Sequence, residues 1–385
     1  MKWEYVKLSD LYEVHNGLSK GSKFFGSGFP FLSFSTVFNN FFLPEELTDL
    51  VESTEKEQES YSIKRGDVFV TRTSETIDEL GMSCVALKDY PCATYNGFTK
   101  RLRPIDDRIV PEYVGYYFRM PSFRGKFMAF STMTTRASLK NEDLLRLEIW
   151  VPSIEKQKKI SDVLINYDKL IENNQKQIKL LEEAAQRLYK EWFVDLRFPG
   201  YENTKIVDGV PEGWRKEKVG VIIGHVERTK QILKSDYQEK GDIPVVDQSR
   251  EYIAGYTNDK ESIVDLGKPV IVFGDHTRVL KYIQFPFAKG ADGTQLIVSS
   301  DDCIPQSLLY CSLVNIDLSN YHYARHFKYL KAEEIIVPKK EIALDFDLLA
   351  SKLYKQVSSC RNKIKQAEDA RDMLLPRLMS GEVEV

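Results

Sequence analysis

Apolar residues recur at spacings of four and three along two stretches of this chain, and the second stretch repeats the first. Ile160, Leu164, Tyr167, Ile171, Asn174, Ile178, Leu181, Ala185, Leu188 and Trp192 mark the first stripe. Adding 186 to each number gives Phe346, Ala350, Leu353, Val357, Cys360, Ile364, Ala367, Arg371, Leu374 and Leu378. Glu155, Lys156, Lys158, Lys159, Lys169, Glu172, Lys176 and Lys179 fall off the first stripe, as the solvated face of a helix requires. A seven-residue period sustained over more than four heptads favours a coiled coil over a surface helix. The pattern predicts one helix over 154–193, stopped by Arg197-Phe198-Pro199-Gly200, and a second over 344–375. Pro376 should end the second helix or kink its last turn. Asn174 and Arg371 interrupt the apolar seam, and such polar positions fix register at some cost in stability.

Ahead of each helix the pattern changes to short aromatic and β-branched runs broken by Gly and Pro. Phe29-Pro30-Phe31-Leu32-Ser33-Phe34, Asp67-Val68-Phe69-Val70-Thr71 and Leu147-Glu148-Ile149-Trp150-Val151 read as strands. Residues 111–120 read as a short helix with Tyr113, Tyr116 and Tyr117 near one face. Several pieces recur in the second half. Ile243-Pro244-Val245-Val246 echoes Phe29-Pro30-Phe31-Leu32, 266–272 echoes 64–70, and Val337-Pro338 echoes Val151-Pro152. Trp3 and Trp214 open the halves, with Leu8 and Val219 five residues on. Trp3 to Pro152 is 149 residues and Trp214 to Pro338 is 124, so the globular parts drift while the helices repeat without a gap. The expected fold is mixed α/β (α+β): a globular domain over 1–152, a helix over 153–198, a linker and second globular domain over 199–338, and a helix over 339–385. The helices pair most simply as an antiparallel coiled coil with pseudo-two-fold symmetry.

A chain of 385 residues, 42% apolar and 29% charged, suits a soluble protein of two or three domains. No apolar run reaches membrane-span length, and five cysteines without a CxxC pair suit a reducing compartment, so the expected location is the cytoplasm. The net charge of −3 does not mark a non-specific nucleic-acid binder. Charge is uneven, however: Lys100, Arg101, Arg103, Arg108, Arg119, Arg124, Lys126, Arg136 and Lys140 face only Asp106, Asp107 and Glu112 within 100–140. There is no P-loop, no Asn-Pro-Pro-aromatic tetrapeptide and no Glu-x-Lys tripeptide. No enzyme activity, cofactor or metal is expected. His276 beside Asp275 has no accompanying Ser or Cys nucleophile motif.

Several motifs in order resemble the DNA-specificity subunit of Type I restriction–modification systems. They are 147–152, Gln157-Lys158-Lys159-Ile160, Asp168-Lys169-Leu170-Ile171, 188–193, Pro211-Glu212-Gly213-Trp214, Phe273-Gly274-Asp275-His276-Thr277-Arg278 and 375–382. The resemblance spans essentially the whole chain. It implies two target-recognition domains, each reading one half of a split site on double-stranded DNA. It further implies spacer helices that dock two adenine-methylating subunits, and restriction/translocase subunits that join for cleavage. About 40 helical residues give a rod of roughly 60 Å, an upper bound of about 18 base pairs between head centres.

Base reading needs Arg, Asn, Gln, Ser or Thr at base edges, with Lys and Arg on phosphates. The candidates in the first domain are Arg72, Thr73 and Ser74 after a strand, Asn96 in Tyr95-Asn96-Gly97, and Thr134, Thr135, Arg136 and Lys140. In the second they are Gln248, Arg250, His276, Thr277, Arg278, Gln295, Arg325 and Lys328. The bland alternative for each is an exposed loop side chain or turn-former. For the whole chain it is a coiled-coil scaffold or homodimeric adaptor whose heads bind protein.

Overall fold

The computed structural model describes residues 4–74, 79–129, 132–133, 137–321 and 325–385; Trp3 lies outside them. Strands Glu4–Lys7 and Glu148–Val151 pair antiparallel, with Glu4 opposite Val151 and Lys7 opposite Glu148. Arg215–Lys218 and Glu334–Val337 pair the same way, with Arg215 opposite Val337 and Lys218 opposite Glu334. One further backbone bond closes each ribbon. Leu8 N–H donates to the Leu147 carbonyl at 2.8 Å, and Val219 N–H to the Glu333 carbonyl at 2.9 Å. Since 147 and 333 also differ by 186, the sequence repeat is a repeat of hydrogen bonds. Leu8 and Val219 are fully buried, so each site calls for an aliphatic side chain.

The chain forms two compact units, Met1–Glu172 with Lys365–Val385, and Asn173–Ile364. The boundary falls inside both long helices, Ile154–Tyr189 and Lys340–Met379. In the first unit a four-stranded antiparallel sheet has the order Tyr12–Asn16, Thr99–Pro104, Val68–Thr71, Ser83–Val85. Side chains alternate across a strand. Val68 and Val70 therefore join one core with Tyr113, Tyr116 and Phe118 of helix Pro111–Arg119. Phe69 faces a second core around Tyr95 and Leu32. The first core also takes Ile160 and Leu164 from one long helix and Leu375, Leu378 and Met379 from the other.

The second unit repeats the scheme with a three-stranded antiparallel sheet, Leu280–Ile283, Val270–Gly274, Thr294–Ile297. Ile271 and Phe273 join helix Gln306–Val314 and long-helix residues Ala185, Tyr189, Phe346, Ala350 and Tyr354. Val270 and Val272 face another core, with Val246 and Phe287. A mixed four-stranded sheet completes this unit, in the order Gly255–Thr257, Ile243–Val246, Phe287–Lys289, Ile263–Val264.

Within each unit the long helices run antiparallel. Arg371 meets Asp168 at 2.8 Å in the first, and Arg361 meets Glu182 at 2.9 Å in the second. Among the seam residues, Ile160, Leu164, Ile171, Asn174, Phe346 and Val357 are buried, while Tyr167, Ile178, Leu181, Leu188, Leu353, Ile364 and Leu374 are half-buried.

Three element ends depart from the sequence pattern. The first helix gives way at Lys190–Val194 to a π-turn, where Asp195 N–H donates to the Lys190 carbonyl at 2.8 Å. That wider turn goes with burial of Trp192 and Phe193. The second helix runs from Lys340 to Met379, past Pro376. A proline removes one donor, and so near the end it costs little: Ser380 N–H still donates to the Pro376 carbonyl at 3.0 Å. The strand expected to reach Phe34 stops at Leu32, because the Ser33 hydroxyl accepts from Thr36 N–H and caps helix Phe34–Asn39. Among the described residues no helix is long and apolar enough to cross a membrane.

Candidate nucleic-acid interface

The candidate loops of the first unit converge behind strand Val68–Thr71. Arg72 N–H donates to the Phe98 carbonyl at 3.0 Å, tying the strand's exit to the turn that holds Asn96. Leu139 N–H donates to the Arg72 carbonyl at 2.9 Å, bringing in the segment that ends at Lys140. Thr73 and Ser74 pair with Ser138 and Ala137. Thr134, Thr135 and Arg136 lie outside the described residues. Asn96 acts as a turn-former, its Oδ1 accepting from Phe98 N–H at 2.7 Å. Lys140 is exposed at the start of helix Asn141–Leu145.

Three residues outside the candidate contact set, Asn16, Lys100 and Asn141, complete this node, and of these only Lys100 belonged to the basic stretch. Asn16 and Lys100 stand opposite each other in the antiparallel sheet. Asn16 Oδ1 accepts from Lys100 Nζ at 3.1 Å and from Arg72 Nη1 at 3.2 Å. Lys100 Nζ also donates to Asn141 Oδ1. Lys100 is only 4% exposed. Burial, and then the neighbouring Arg72 charge, bring its pKa down to about 8. Asn16 ends strand Tyr12–Asn16 just before Gly17, and that Asn-Gly pair was the available signal. Nothing local marks Lys100 as buried.

The second unit gathers its candidates around Asp275. Asp275 N–H donates to the Gly293 carbonyl at 2.7 Å, and His326 N–H donates to the Asp275 carbonyl at 2.9 Å. The buried Asp275 carboxylate accepts from Phe327 N–H at 2.7 Å, at the start of helix Phe327–Ala332. Gln248 is held at both ends of its amide: Oε1 accepts from His276 N–H at 3.1 Å, and Nε2 donates to the Asp292 carbonyl at 3.1 Å. Thr277 Oγ1 donates to the Gln248 carbonyl. Arg278 has φ of 61° and donates to His326 Nε2 at 3.3 Å and to the Leu318 carbonyl at 3.1 Å. Burial, aided by the Arg278 and His276 charges, lowers the His326 pKa against the opposing pull of Asp275.

His276, Arg325 and Lys328 are exposed, and Gln295 is half-buried opposite Phe273 in the sheet. Arg250 is set apart from the Asp275 node. It lines a cavity of about 200 Å³ with Tyr252, Lys281 and Arg361. Among the described residues no cluster of His, Cys, Asp and Glu could hold a metal ion.

Residues 1–183 match the Type I restriction modification DNA specificity domain. Over its whole length the chain is 24% identical to the Type I restriction enzyme MjaIX specificity subunit of Methanocaldococcus jannaschii, covering 94% of that protein. A 100-residue stretch, 26% of this chain and 24% of the relative, is 34% identical to the EcoR124I/EcoR124II specificity subunit of Escherichia coli. The fold is similar to the crystal structure of a Type I restriction–modification S subunit from M. genitalium. The TM-score there is 0.58 at 13% identity, over 98% of this chain and 96% of that one.

Proposed function

Starting from a chain that belongs with the Type I restriction–modification specificity subunits, we propose that it reads a bipartite, asymmetric DNA site through its two loop nodes. The node around Arg72 reads one half-site, and the node around Asp275 and Arg278 reads the other. The long helices set the gap and dock two adenine-methylating subunits, and restriction/translocase subunits join that complex for cleavage. The chain itself is the non-catalytic, cytoplasmic reader.

The observation that carries this reading is convergence. In each unit, polar loops far apart in sequence meet at the exit of the central strand, beside the first turn of a short helix. Loop clusters of this kind on a rigid scaffold are where recognition is usually placed. The nodes share their position in the repeat but differ in their side chains, which suits two different half-sites.

The test is to express the chain with its methyltransferase in a host and map methylated adenines by sequencing. Two unlike half-sites at a fixed gap are expected. A continuous or palindromic site would overturn the proposal.

A further inference from the structure

We propose that Asn16, Arg72, Lys100 and Asn141 present a donor-only face that takes an acceptor-only edge of DNA. That edge is either the O6/N7 edge of a guanine or the paired oxygens of a phosphodiester. The inference rests on the DNA-reading function above and names the chemistry of the first half-site.

A side-chain amide has an acceptor end and a donor end, and its surroundings decide which points out. An ammonium has donors and no lone pair. Lys100 Nζ holds the oxygens of both Asn16 and Asn141, and Arg72 Nη1 holds Asn16 Oδ1 as well. Turning either amide over would set its NH₂ against the Lys100 ammonium. The oxygens are therefore locked inward, and the two NH₂ groups are left over. Among the described residues neither NH₂ has a hydrogen-bond partner, and the Asn141 nitrogen is not buried. Asn16 is exposed and Asn141 half-exposed.

The remaining polar groups are the guanidinium of half-buried Arg72, whose Nε is buried without a partner, and the Lys100 ammonium, on a side chain only 4% exposed. None of the four side chains offers an outward acceptor. Among the described residues, neither Arg72 nor Lys100 makes an ion pair with a carboxylate. Two cations held together on amide oxygens leave an unbalanced positive field, which an acceptor or anion relieves.

The complement follows from the groove code. Guanine shows two adjacent acceptors and no donor in the major groove, adenine and cytosine each show an amino donor there, and thymine shows a single acceptor beside a methyl group, so guanine is the base that takes paired donors. A phosphodiester is also acceptor-only. Lys100 is the positioning residue, because it fixes which way both amides point.

The experiment uses the full chain assembled with its methyltransferase partners. Asn16→Asp and Asn141→Asp keep an oxygen toward Lys100 and replace the outward donor with an acceptor, at nearly unchanged shape. Binding is measured over duplexes carrying each single base-pair change, and over a salt series. If the edge is guanine, both variants lose about 5- to 150-fold of the preference for one G·C pair in one half-site only. Replacing that guanine by 7-deazaguanine does the same to the wild type. If the edge is phosphate, both variants weaken binding evenly across sequences and reduce the salt slope by about 1. Lys100→Met, which frees both amides to turn, should broaden base choice at that pair in the guanine case.

Wild-type affinity, selectivity and salt slope in both Asp variants would overturn the inference alone. So would loss of selectivity at an A·T pair in place of a G·C pair. A wild-type complex with no sequence preference would instead overturn the DNA-reading function, and this inference with it.

Discussion

The two loop nodes sit on matching scaffolds and are built from opposite charges. The first is centred on cations: Lys100 and Arg72 share the Asn16 oxygen, and the amide donors are left over. The second is centred on an acid: Asp275 is buried, its carboxylate fixes the Phe327 N–H, and both ends of the Gln248 amide are held by backbone. Around them the backbone bonds of the repeat are unchanged, from Leu8 to Leu147 and from Val219 to Glu333. Duplication thus kept the geometry of the frame and let the polar centre change sign. Frame bonds join buried backbone groups that must be satisfied whatever is read. Node side chains carry no such demand, so they can diverge.

The largest test of this contrast is at Gly17, whose added Cβ would lie 2.0 Å from the Asn96 carbonyl oxygen. Gly17→Ala should cost about 3 kcal/mol or more and unfold the first unit early in calorimetry. A variant as stable as wild type would show that the first node is not backbone-packed.

Next is Asp275→Ala, which strands the Phe327 N–H and should cost about 2 kcal/mol. Methylation mapping should show relaxed reading of the second half-site with the first intact. Equal loss at both half-sites would break the separation of the nodes.

The smallest effect is in pH. Lys100 titrates near 8 in the folded chain, against an ordinary value near 10.4. Between these values the unfolded chain binds more protons, so folding stability should rise with pH across that window. Lys281 in the second unit is also brought down to about 8 by burial and adds with the same sign. DNA binding should move the other way, weakening by up to about tenfold between pH 7 and pH 9 as the ammonium that faces Arg72, Asn16 and Asn141 is lost. Binding titrations of wild type and Lys100→Met would check it, the variant showing a flat profile.

Periodic features were legible in the sequence because period alone encodes them. The 186-residue echo, the two long helices and the strand around Val68–Val70 all follow from spacing. Helix ends were less so: Pro376 suggested a stop, but the last turn of a helix loses little to a missing donor. Polar loops after strands pointed to Arg72 and to 275–278, and the structure brings both into their nodes. Lys100 was hidden, because its burial depends on Asn16 arriving from 84 residues away across the sheet. Asn141 was hidden for the same reason, one position beyond Lys140. Gln248 shows the converse, a residue of base-reading type whose amide is held by the loop itself.

The first core begins with Leu8 and is completed by Leu375, Leu378 and Met379. A ribosome adding about 5–20 residues per second delivers the last of these roughly 20–70 s after the first. The second unit, Asn173–Ile364, has all its residues before then. The half that is made first is therefore the half that is finished last. Until Met379 has been made it must wait with the apolar seat for its closing turn uncovered.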